Sequence, residues 1–166
     1  MNDGISLDVD KYQVKICSNV LNIMENHIQK GFFSHESGGI LIGKENISNN
    51  NLVISHLTIP MSKDKQKHKR FFRRDKGHIE TFNNLHKDSD KTLRYIGEWH
   101  SHPEAIPNYS SIDFNNWKKI SEESPSIINH YHIIIGYEAM RIWIFYGEKK
   151  NADLLAAIFW KDVNNN

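Results

Sequence analysis

The stretch of sequence that decides the fold runs from Glu98 to Asp113 and reads Glu-Trp-His-Ser-His-Pro-Glu-Ala-Ile-Pro-Asn-Tyr-Ser-Ser-Ile-Asp. Its first part is apolar and is predicted to be a strand that Pro103 stops. Side chains two positions apart on a strand point to the same side, roughly 7 Å apart, so His100 and His102 can converge on one ion. After the proline the chain can turn back and present Asp113 as a third ligand.

Two imidazoles and one carboxylate predict a catalytic zinc site. Zn²⁺ accepts nitrogen and oxygen ligands, and three protein ligands leave a fourth position for water. A single strand histidine is more often a hydrogen-bonded structural residue than a ligand, but His100 and His102 followed by Asp113 favour a metal. Ser110 and Asp113 also fit a helix cap, because Ser-x-x-Asp precedes an apolar helical pattern. The two interpretations are compatible, since a cap would hold the Asp113 carboxylate in place.

Three segments in order resemble the JAMM or MPN+ metalloprotease domain, also called the JAB domain. They are Glu36-Ser-Gly-Gly-Ile-Leu-Ile-Gly43, His100-x-His102-Pro103 and Ser110-x-x-Asp113, and the resemblance spans about residues 33 to 125. The sequence is similar to the small bacterial type in two further features, Phe72-x-Arg74-Asp75-x-x-His78 and Gly97-Glu-Trp-His100.

The resemblance implies a role for each site residue. His100, His102 and Asp113 would bind zinc, and Glu36 would be the general base that takes a proton from the zinc water and later delivers it to the leaving amine. Ser110 would donate a hydrogen bond to the oxyanion of the tetrahedral intermediate. Glu98, on the same side of the strand as His100, is the rival acidic residue and could instead orient that histidine. Glu104 is a weaker rival in the loop after Pro103.

The resemblance also implies a fold and a cellular setting. MPN domains are single-domain sandwiches with a cytidine-deaminase-like arrangement. This chain lacks the Pro-Cys-x-x-Cys zinc ligands of deaminases, since its one cysteine is Cys17, so deaminase chemistry is disfavoured. Similar bacterial domains accompany ubiquitin-like conjugation modules, including those of CBASS anti-phage defence. There they remove a protein from conjugates made by ubiquitin-activating-like and conjugating-like partner enzymes.

The residue pattern along the chain agrees with an α/β class, a central mixed sheet flanked by helices. Strands are predicted at 12–17, 39–43, 52–59, 93–102, 131–136 and 141–146, and helices at 18–28, 78–85 and 111–120. Ser18 is expected to cap the first helix, and Phe114 and Trp117 to face inward from the third. The segment 151–160 is predicted to be a helix capped by Asn151, although its apolar run also fits a strand.

Length and composition point to one soluble domain. The 166 residues carry a formal net charge of +1 and 39% hydrophobic residues, so no global charge attracts nucleic acid or membrane. We expect a domain at 1–163 and a short polar tail at 164–166. The single cysteine and the lack of a signal-like or membrane-spanning run indicate a cytoplasmic protein without a membrane partner.

Residues 63 to 76 are densely basic, with Phe71 and Phe72 among arginines and lysines. The simplest interpretation is a solvated loop. A docking surface for an acidic protein or a nucleic acid is the alternative, because aromatics interleaved with arginine can stack on bases.

The sequence therefore predicts an enzyme, a zinc-dependent isopeptidase or peptidase that cuts after the C-terminus of a ubiquitin-like or otherwise conjugated protein. The substrate tail is expected to add as a strand beside 39–43 or a neighbouring loop. Two alternatives stay open: a non-catalytic MPN scaffold module and, with less support in a nearly neutral chain, a nucleic-acid-binding protein that acts through residues 63 to 76.

Overall fold

A mixed eight-stranded sheet forms the centre of the computed structural model, which describes residues 3 to 163. The strands are β1 (Ile5–Val9), β2 (Tyr12–Ile16), β3 (Gly38–Asn46), β4 (Asn51–Leu57), β5 (Lys65–Lys67), β6 (Arg70–Phe72), β7 (Arg94–Ser101), β8 (Asn129–Ile135), β9 (Ala139–Tyr146) and β10 (Asn151–Phe159). The helices are α1 (Ser18–Asn26), α2 (Gly77–Asp88), α3 (Ser111–Glu123) and the short α4 (Trp160–Val163). The sheet runs in the order β1-β2-β4-β3-β7-β8-β9-β10, and β5 and β6 form a separate hairpin.

The predicted fold class, a central mixed sheet flanked by helices, is confirmed. Neighbouring strands are antiparallel except for the pairs β2 with β4 and β7 with β8, which are parallel. Strand β3 lies in the middle because residues 38–43 are buried on both faces, as expected of a central strand. Its register places Gly38 opposite His100 and Ile40 opposite Glu98.

The helices cover both faces of the sheet. Helix α1 buries Val20, Leu21 and Met24 in the large core that also contains Trp99. On the other face, α2 packs Phe82 and Leu85 against Ile40 and Ile42, and α3 packs Trp117 against Ile134 and Trp143. Because Ile40 lies opposite Glu98, and Glu98 shares its face with His100, the predicted metal ligands lie on the face covered by α2 and α3.

The predicted cap of α1 is wrong. The N-cap is Cys17, which has an extended backbone and makes no side-chain cap, and Ser18 is already the first helical residue. The amide of Cys17 continues the strand by donating to the carbonyl of Ile54 at 3.0 Å, while its own carbonyl accepts from Val20 and Leu21. The helix therefore begins directly where the pairing of β2 ends.

The segment 151–160 is a strand, so the helix prediction is wrong and the strand alternative is correct. Strand β10 pairs antiparallel with β9, with a bulge between Leu154 and Ala156. The bulge puts an extra residue into the strand, so the buried residues Leu155 and Ile158 are three positions apart. That spacing imitates one face of a helix and explains the error.

The structure also differs at two other segments. The basic run contains the hairpin β5–β6 rather than an irregular loop, and the N-terminal strand β1 is absent from the predicted strands.

Strand β3 is paired on both sides, by β4 and by β7, so a substrate strand cannot add at 39–43. The expected polar tail at 164–166 lies outside the described residues. Across residues 3 to 163, no helix combines the length and the apolar character needed to cross a bilayer.

Candidate metal centre and catalytic cleft

The predicted ligands His100, His102 and Asp113 lie together at the C-terminal end of β7 and the first turn of α3. One ligand atom from each residue lies within 4.8 Å of the others. The two Nε2 atoms are 2.9 Å apart, His100 Nε2 is 3.1 Å from Asp113 Oδ1, and His102 Nε2 is 3.5 Å from Asp113 Oδ2.

These distances fit a tetrahedral zinc site. Bonds of 2.0 to 2.1 Å around a tetrahedral ion would place its ligand atoms about 3.3 Å from one another. The two Nε2 atoms are 2.9 Å apart, and they lie 3.1 and 3.5 Å from the two different carboxylate oxygens of Asp113, so all three separations are close to that value. The donor set, two imidazole nitrogens and a carboxylate, is one that zinc accepts while retaining an open position.

Asp113 is oriented by the cap of α3. Ser110 is the N-cap, and its hydroxyl accepts from the amide of Asp113 at 3.2 Å, while the amide and hydroxyl of Ser110 both donate to Asp113 Oδ2, at 2.6 and 2.7 Å. Burial alone would raise the pKa of the Asp113 carboxyl, but the hydrogen bonds and charge of His100 and the bonds from Ser110 hold it well below its usual range. His100 and the cap together therefore favour the carboxylate form of Asp113.

The two histidines have opposite electrostatic environments. Burial would lower the pKa of His100, but the hydrogen bond and charge of Asp113 outweigh it and raise the pKa. Burial, followed by repulsion from His100, lowers the pKa of His102 to about 4. His102 is therefore neutral at pH 7, the form in which an imidazole binds a metal.

Glu36 is buried beside this cluster, just before β3, and its Oε1 lies 3.9 Å from His102 Nε2. The pairing of β3 with β7 brings it there, because Gly38 lies opposite His100 and the amide of Ser101 donates to the carbonyl of Ser37 at 2.9 Å. The hydroxyl of Ser101 accepts from the amide of Ser37 at 2.8 Å. Ser101 thus ties the two strands together.

Burial raises the pKa of Glu36 to about 7. His100 opposes that rise, Asp113 and Glu104 add to it, and a hydrogen bond from the amide of Phe71 opposes it. A divalent cation bound at the neighbouring ligands would lower the pKa from there, because it favours the carboxylate. In that carboxylate form Glu36 can accept a proton, and its burial favours holding the proton until it is released.

The rival acidic residues are engaged elsewhere. Glu98 lies in the same cleft, but its Oε1 accepts two hydrogen bonds from Arg73, at 3.0 Å from Nε and 2.8 Å from Nη2. Glu104 accepts from the amide of Asn108 at 2.9 Å, and its Oε2 is 3.9 Å from His102 Nδ1, too far for a hydrogen bond. Glu36 is therefore the carboxyl group best placed to act as the base.

The basic segment of residues 63 to 76 forms one wall of the cleft. The simplest interpretation of its sequence, a solvated loop, is therefore wrong for this part of the chain. The cleft has a volume of about 430 Å³, and Lys69, Arg70, Phe71 and Arg73 line it together with the ligands and Glu36. Hairpin residues also hold Glu36: its amide donates to the carbonyl of Lys67 at 2.8 Å, and its carbonyl accepts from Gln66 Nε2 at 3.0 Å. The sequence pattern does not predict this role, because residues 70–74 read Arg-Phe-Phe-Arg-Arg and show no strand-like alternation.

A buried network anchors the base of that hairpin. Asp64 accepts from His78 Nε2 at 2.7 Å, and the side chains of both residues are fully buried. The His78 Nδ1 atom contacts the hydroxyl of Thr58, which also accepts from the amide of Ile40 at 2.9 Å. The carbonyl of Thr58 accepts from Trp99 Nε1 at 2.9 Å. The network therefore connects the hairpin to β3 and to the strand that carries the ligands.

With the geometry established, comparison with known proteins identifies the family. A model described as prokaryotic homologs of the JAB domain matches residues 19–146. This chain belongs to that family. The JAB-domain resemblance carried by Glu36-Ser-Gly-Gly, His-x-His-Pro and Ser-x-x-Asp is thereby confirmed.

Three curated relatives share one description, CD-NTase/cGAS isopeptidase. The chain is 33% identical over 155 residues to the one from Escherichia coli strain TW11681, a match that covers 93% of each chain. It is 29% identical over 140 residues to the one from Pseudomonas aeruginosa, covering 84% of this chain and 87% of the relative. The Vibrio cholerae relative is 33% identical over 113 residues, covering 67% and 71%.

A solved structure has a similar fold. A protein from Desulfitobacterium hafniense, determined in solution, superposes with a TM-score of 0.60 over 85% of this chain and 88% of its own. At 15% sequence identity this similarity concerns the fold alone.

Proposed function

We propose that this chain is a zinc-dependent isopeptidase that releases a ubiquitin-like or otherwise conjugated protein by cutting after its C-terminus. The observation that carries the proposal is the placement of buried Glu36 3.9 Å from His102, beside the cluster of His100, His102 and Asp113. The curated relatives, named CD-NTase/cGAS isopeptidases, support a deconjugating reaction and a setting in CBASS anti-phage defence. In that setting the partners would be ubiquitin-activating-like and conjugating-like enzymes.

The residues have distinct tasks in the reaction. Zinc held by His100, His102 and Asp113 would supply a Lewis acid that polarises a carbonyl and lowers the pKa of water from about 16 toward 7. Glu36 accepts the proton of the attacking water and passes it to the nitrogen of the leaving amine, since burial makes its carboxyl group hold a proton more readily than an exposed one. No residue of the chain needs to be acylated.

Ser110 is proposed to stabilise the oxyanion. Its hydroxyl donates to Asp113 Oδ2, with the two oxygen atoms 2.7 Å apart. Donation to an oxyanion therefore requires the hydroxyl to rotate. The backbone amide of Ser110 also donates to Asp113 Oδ2, at 2.6 Å, and would continue to hold that carboxylate after the rotation. Ser110 therefore has one group for positioning a ligand and another for the transition state.

The test separates metal binding from catalysis. A panel of fusions, in which a ubiquitin-like protein or a CD-NTase is joined through its C-terminal tail to a fluorescent reporter, is incubated with zinc-loaded protein, and zinc content is measured on the same samples. We expect Glu36→Ala to retain zinc and lose cleavage, and His100→Ala to lose both. Glu80→Ala, an exposed substitution on α2, is the control that retains both. Cleavage by Glu36→Ala at the rate of the unmodified protein would contradict the proposal.

A further inference from the structure

The outer face of the β5–β6 hairpin is basic and faces solvent. Gln66 points inward and donates to the carbonyl of Glu36, so its neighbours Lys65 and Lys67 point outward and are exposed. Across the hairpin, Lys65 lies opposite Phe72 and Lys67 opposite Arg70, so these four side chains share the outer face. The Arg70 guanidinium stacks on the Phe72 ring at 4.2 Å.

Two phenylalanines flank this face at the turn of the hairpin. Phe32 and Phe33, in the loop between α1 and β3, are 89% and 92% exposed. The loop is nevertheless held firmly, because the buried Gln29 donates to the carbonyls of His68 and Ser34, at 2.6 and 3.1 Å. The ring of Phe32 also stacks on that of His68, with centroids 6.4 Å apart. The two rings are therefore presented to solvent on an ordered support.

These residues define what we call the basic aromatic surface: Phe32, Phe33, Lys65, Lys67, Arg70 and Phe72. Its sequence segments 30–35 and 65–72 contain no aspartate or glutamate. Within residues 3 to 163, the cations Lys65, Lys67 and Arg70 take part in none of the observed ion pairs. In a chain whose net charge is only +1, this is a local concentration of unneutralised positive charge beside exposed aromatic rings.

We propose that the basic aromatic surface docks the folded body of the protein whose C-terminal tail enters the cleft, and that the docked face is acidic and carries exposed apolar side chains. Aromatic anchors ringed by charged groups are typical of protein interfaces in which a few residues carry most of the binding energy. The acidic character of the partner follows from the charge of the surface, because complementary charge speeds association and fixes orientation.

Continuity with the cleft favours this occupant over a membrane or a nucleic acid. Arg70 belongs to the outer face of the hairpin and also lines the cleft, together with Phe71. A substrate whose folded body binds the basic aromatic surface can therefore extend its own tail into the adjoining cleft. Once the body is bound, the tail binds at high effective concentration, because the two are covalently joined. Anionic lipid and nucleic acid carry the complementary negative charge, but they have no covalently attached protein tail that could enter the cleft.

This inference rests on the proposed function, and its test uses the fusion that the unmodified protein cleaves fastest. Two surface variants are tested, Phe32→Ser with Phe33→Ser and Lys65→Glu with Lys67→Glu. Their charge-matched control, Lys44→Glu with Lys149→Glu, changes exposed residues in β3 and in the turn between β9 and β10. Both surface variants should raise KM for the fusion about tenfold. The control should not change it. Rising ionic strength should raise KM for the unmodified protein and have less effect on the Lys65→Glu, Lys67→Glu variant.

Binding is measured separately so that the two proposals fail in different ways. The Glu36→Gln protein, with and without the surface substitutions, is titrated with the same fusion by calorimetry. If zinc-loaded protein cleaves no fusion, the proposed function is wrong, and calorimetric titration with each fusion of the panel decides the docking surface. An unchanged Kd and KM in both surface variants would overturn the inference.

Competing occupants are tested with the same variants. Vesicles of phosphatidylglycerol and phosphatidylcholine in equal amounts, and a single-stranded oligodeoxynucleotide, are the probes. If either binds the unmodified protein and is lost in the surface variants while the Kd for the fusion stays constant, the surface serves that ligand and the inference is overturned. Loss of fusion binding alone supports it.

Discussion

Removal of the Asp64 carboxylate should destabilise the fold and loosen the hairpin that holds Glu36. Four hydrogen bonds end on this group: from the amide of Met61 at 2.8 Å and His78 Nε2 at 2.7 Å on Oδ2, and from the amides of Arg74 at 2.7 Å and Asp75 at 2.9 Å on Oδ1. These bonds outweigh burial and lower the pKa of Asp64, so the carboxylate is the form that the folded state favours.

The magnitude follows from the groups left without a partner. A hydrogen bond to a charged acceptor contributes about 1.5 to 3 kcal/mol, but the amides near the surface can bond to water after the change. The imidazole of His78 is buried and cannot. We therefore expect Asp64→Ala to lower the free energy of unfolding by about 3 to 5 kcal/mol, since the buried imidazole N–H loses its acceptor and three further bonds to a charged group are removed. Asp64→Asn, which keeps one acceptor oxygen, should cost about 2 kcal/mol.

Urea unfolding of chelator-treated protein measures this loss without a contribution from zinc binding to the folded state. Asp88→Ala, an exposed substitution at the end of α2, is the control and should change stability by about 0.5 kcal/mol or less. Hydrogen exchange at the amides of residues 65 to 72 should accelerate in Asp64→Ala and not in Asp88→Ala. If Asp64→Ala loses no more than the control, or if exchange in the hairpin is unchanged, the assigned role of the network is refuted.

Three further changes test other parts of the structure. Burial lowers the pKa of His130, so the free energy of unfolding should fall as the pH drops below the unfolded-state pKa of about 6.5. In unfolding measured from pH 7 to 5, His130→Leu should reduce the slope of that free energy against pH by up to about 1.4 kcal/mol per pH unit. Ser110→Ala should lower kcat about 100-fold to 1000-fold and stability by about 1 kcal/mol, with zinc content unchanged. The control Ser111→Ala should leave kcat intact. Equal kcat values for Ser110→Ala and Ser111→Ala would exclude Ser110 from the transition state. Gly97→Ala would place a Cβ 1.7 Å from the carbonyl oxygen of Tyr131, so thermal unfolding should show a loss of about 3 kcal/mol, and an unchanged melting temperature would contradict the tight packing of β7 on β8.

Several elements could be predicted because their signal is local. The strand that ends at Pro103 and the helix that starts after Ser110 follow from short patterns, and the structure brings His100, His102 and Asp113 to within 4.8 Å of one another. Strand β1 also carries such a signal, since Ile5, Leu7 and Val9 alternate with polar residues, although the predicted strands do not include it. For β10 the local signal was misleading, because a bulge changed the period of the buried residues.

The hairpin β5–β6 could not be predicted from a local pattern. Its strands are three residues each, and half of their residues are charged. They depend on bonds to Glu36, 30 residues from Gln66, and on the neighbouring Asp64, which is itself held by His78, 14 residues away. A short, polar two-stranded ribbon is not stable alone, so its conformation depends on the body it packs against.

The sequence by itself determined the chemistry of the site: which donor atoms are present, how His100 and His102 face one way, and how Ser110 caps the helix that carries Asp113. These features depend on the backbone geometry of a few consecutive residues. Tertiary structure alone decided that Glu36 lies beside those ligands and that a basic hairpin forms the wall of the cleft. The pairing of β3 with β7 joins segments some sixty residues apart in the chain, and its register is fixed by burial of both faces of the sheet.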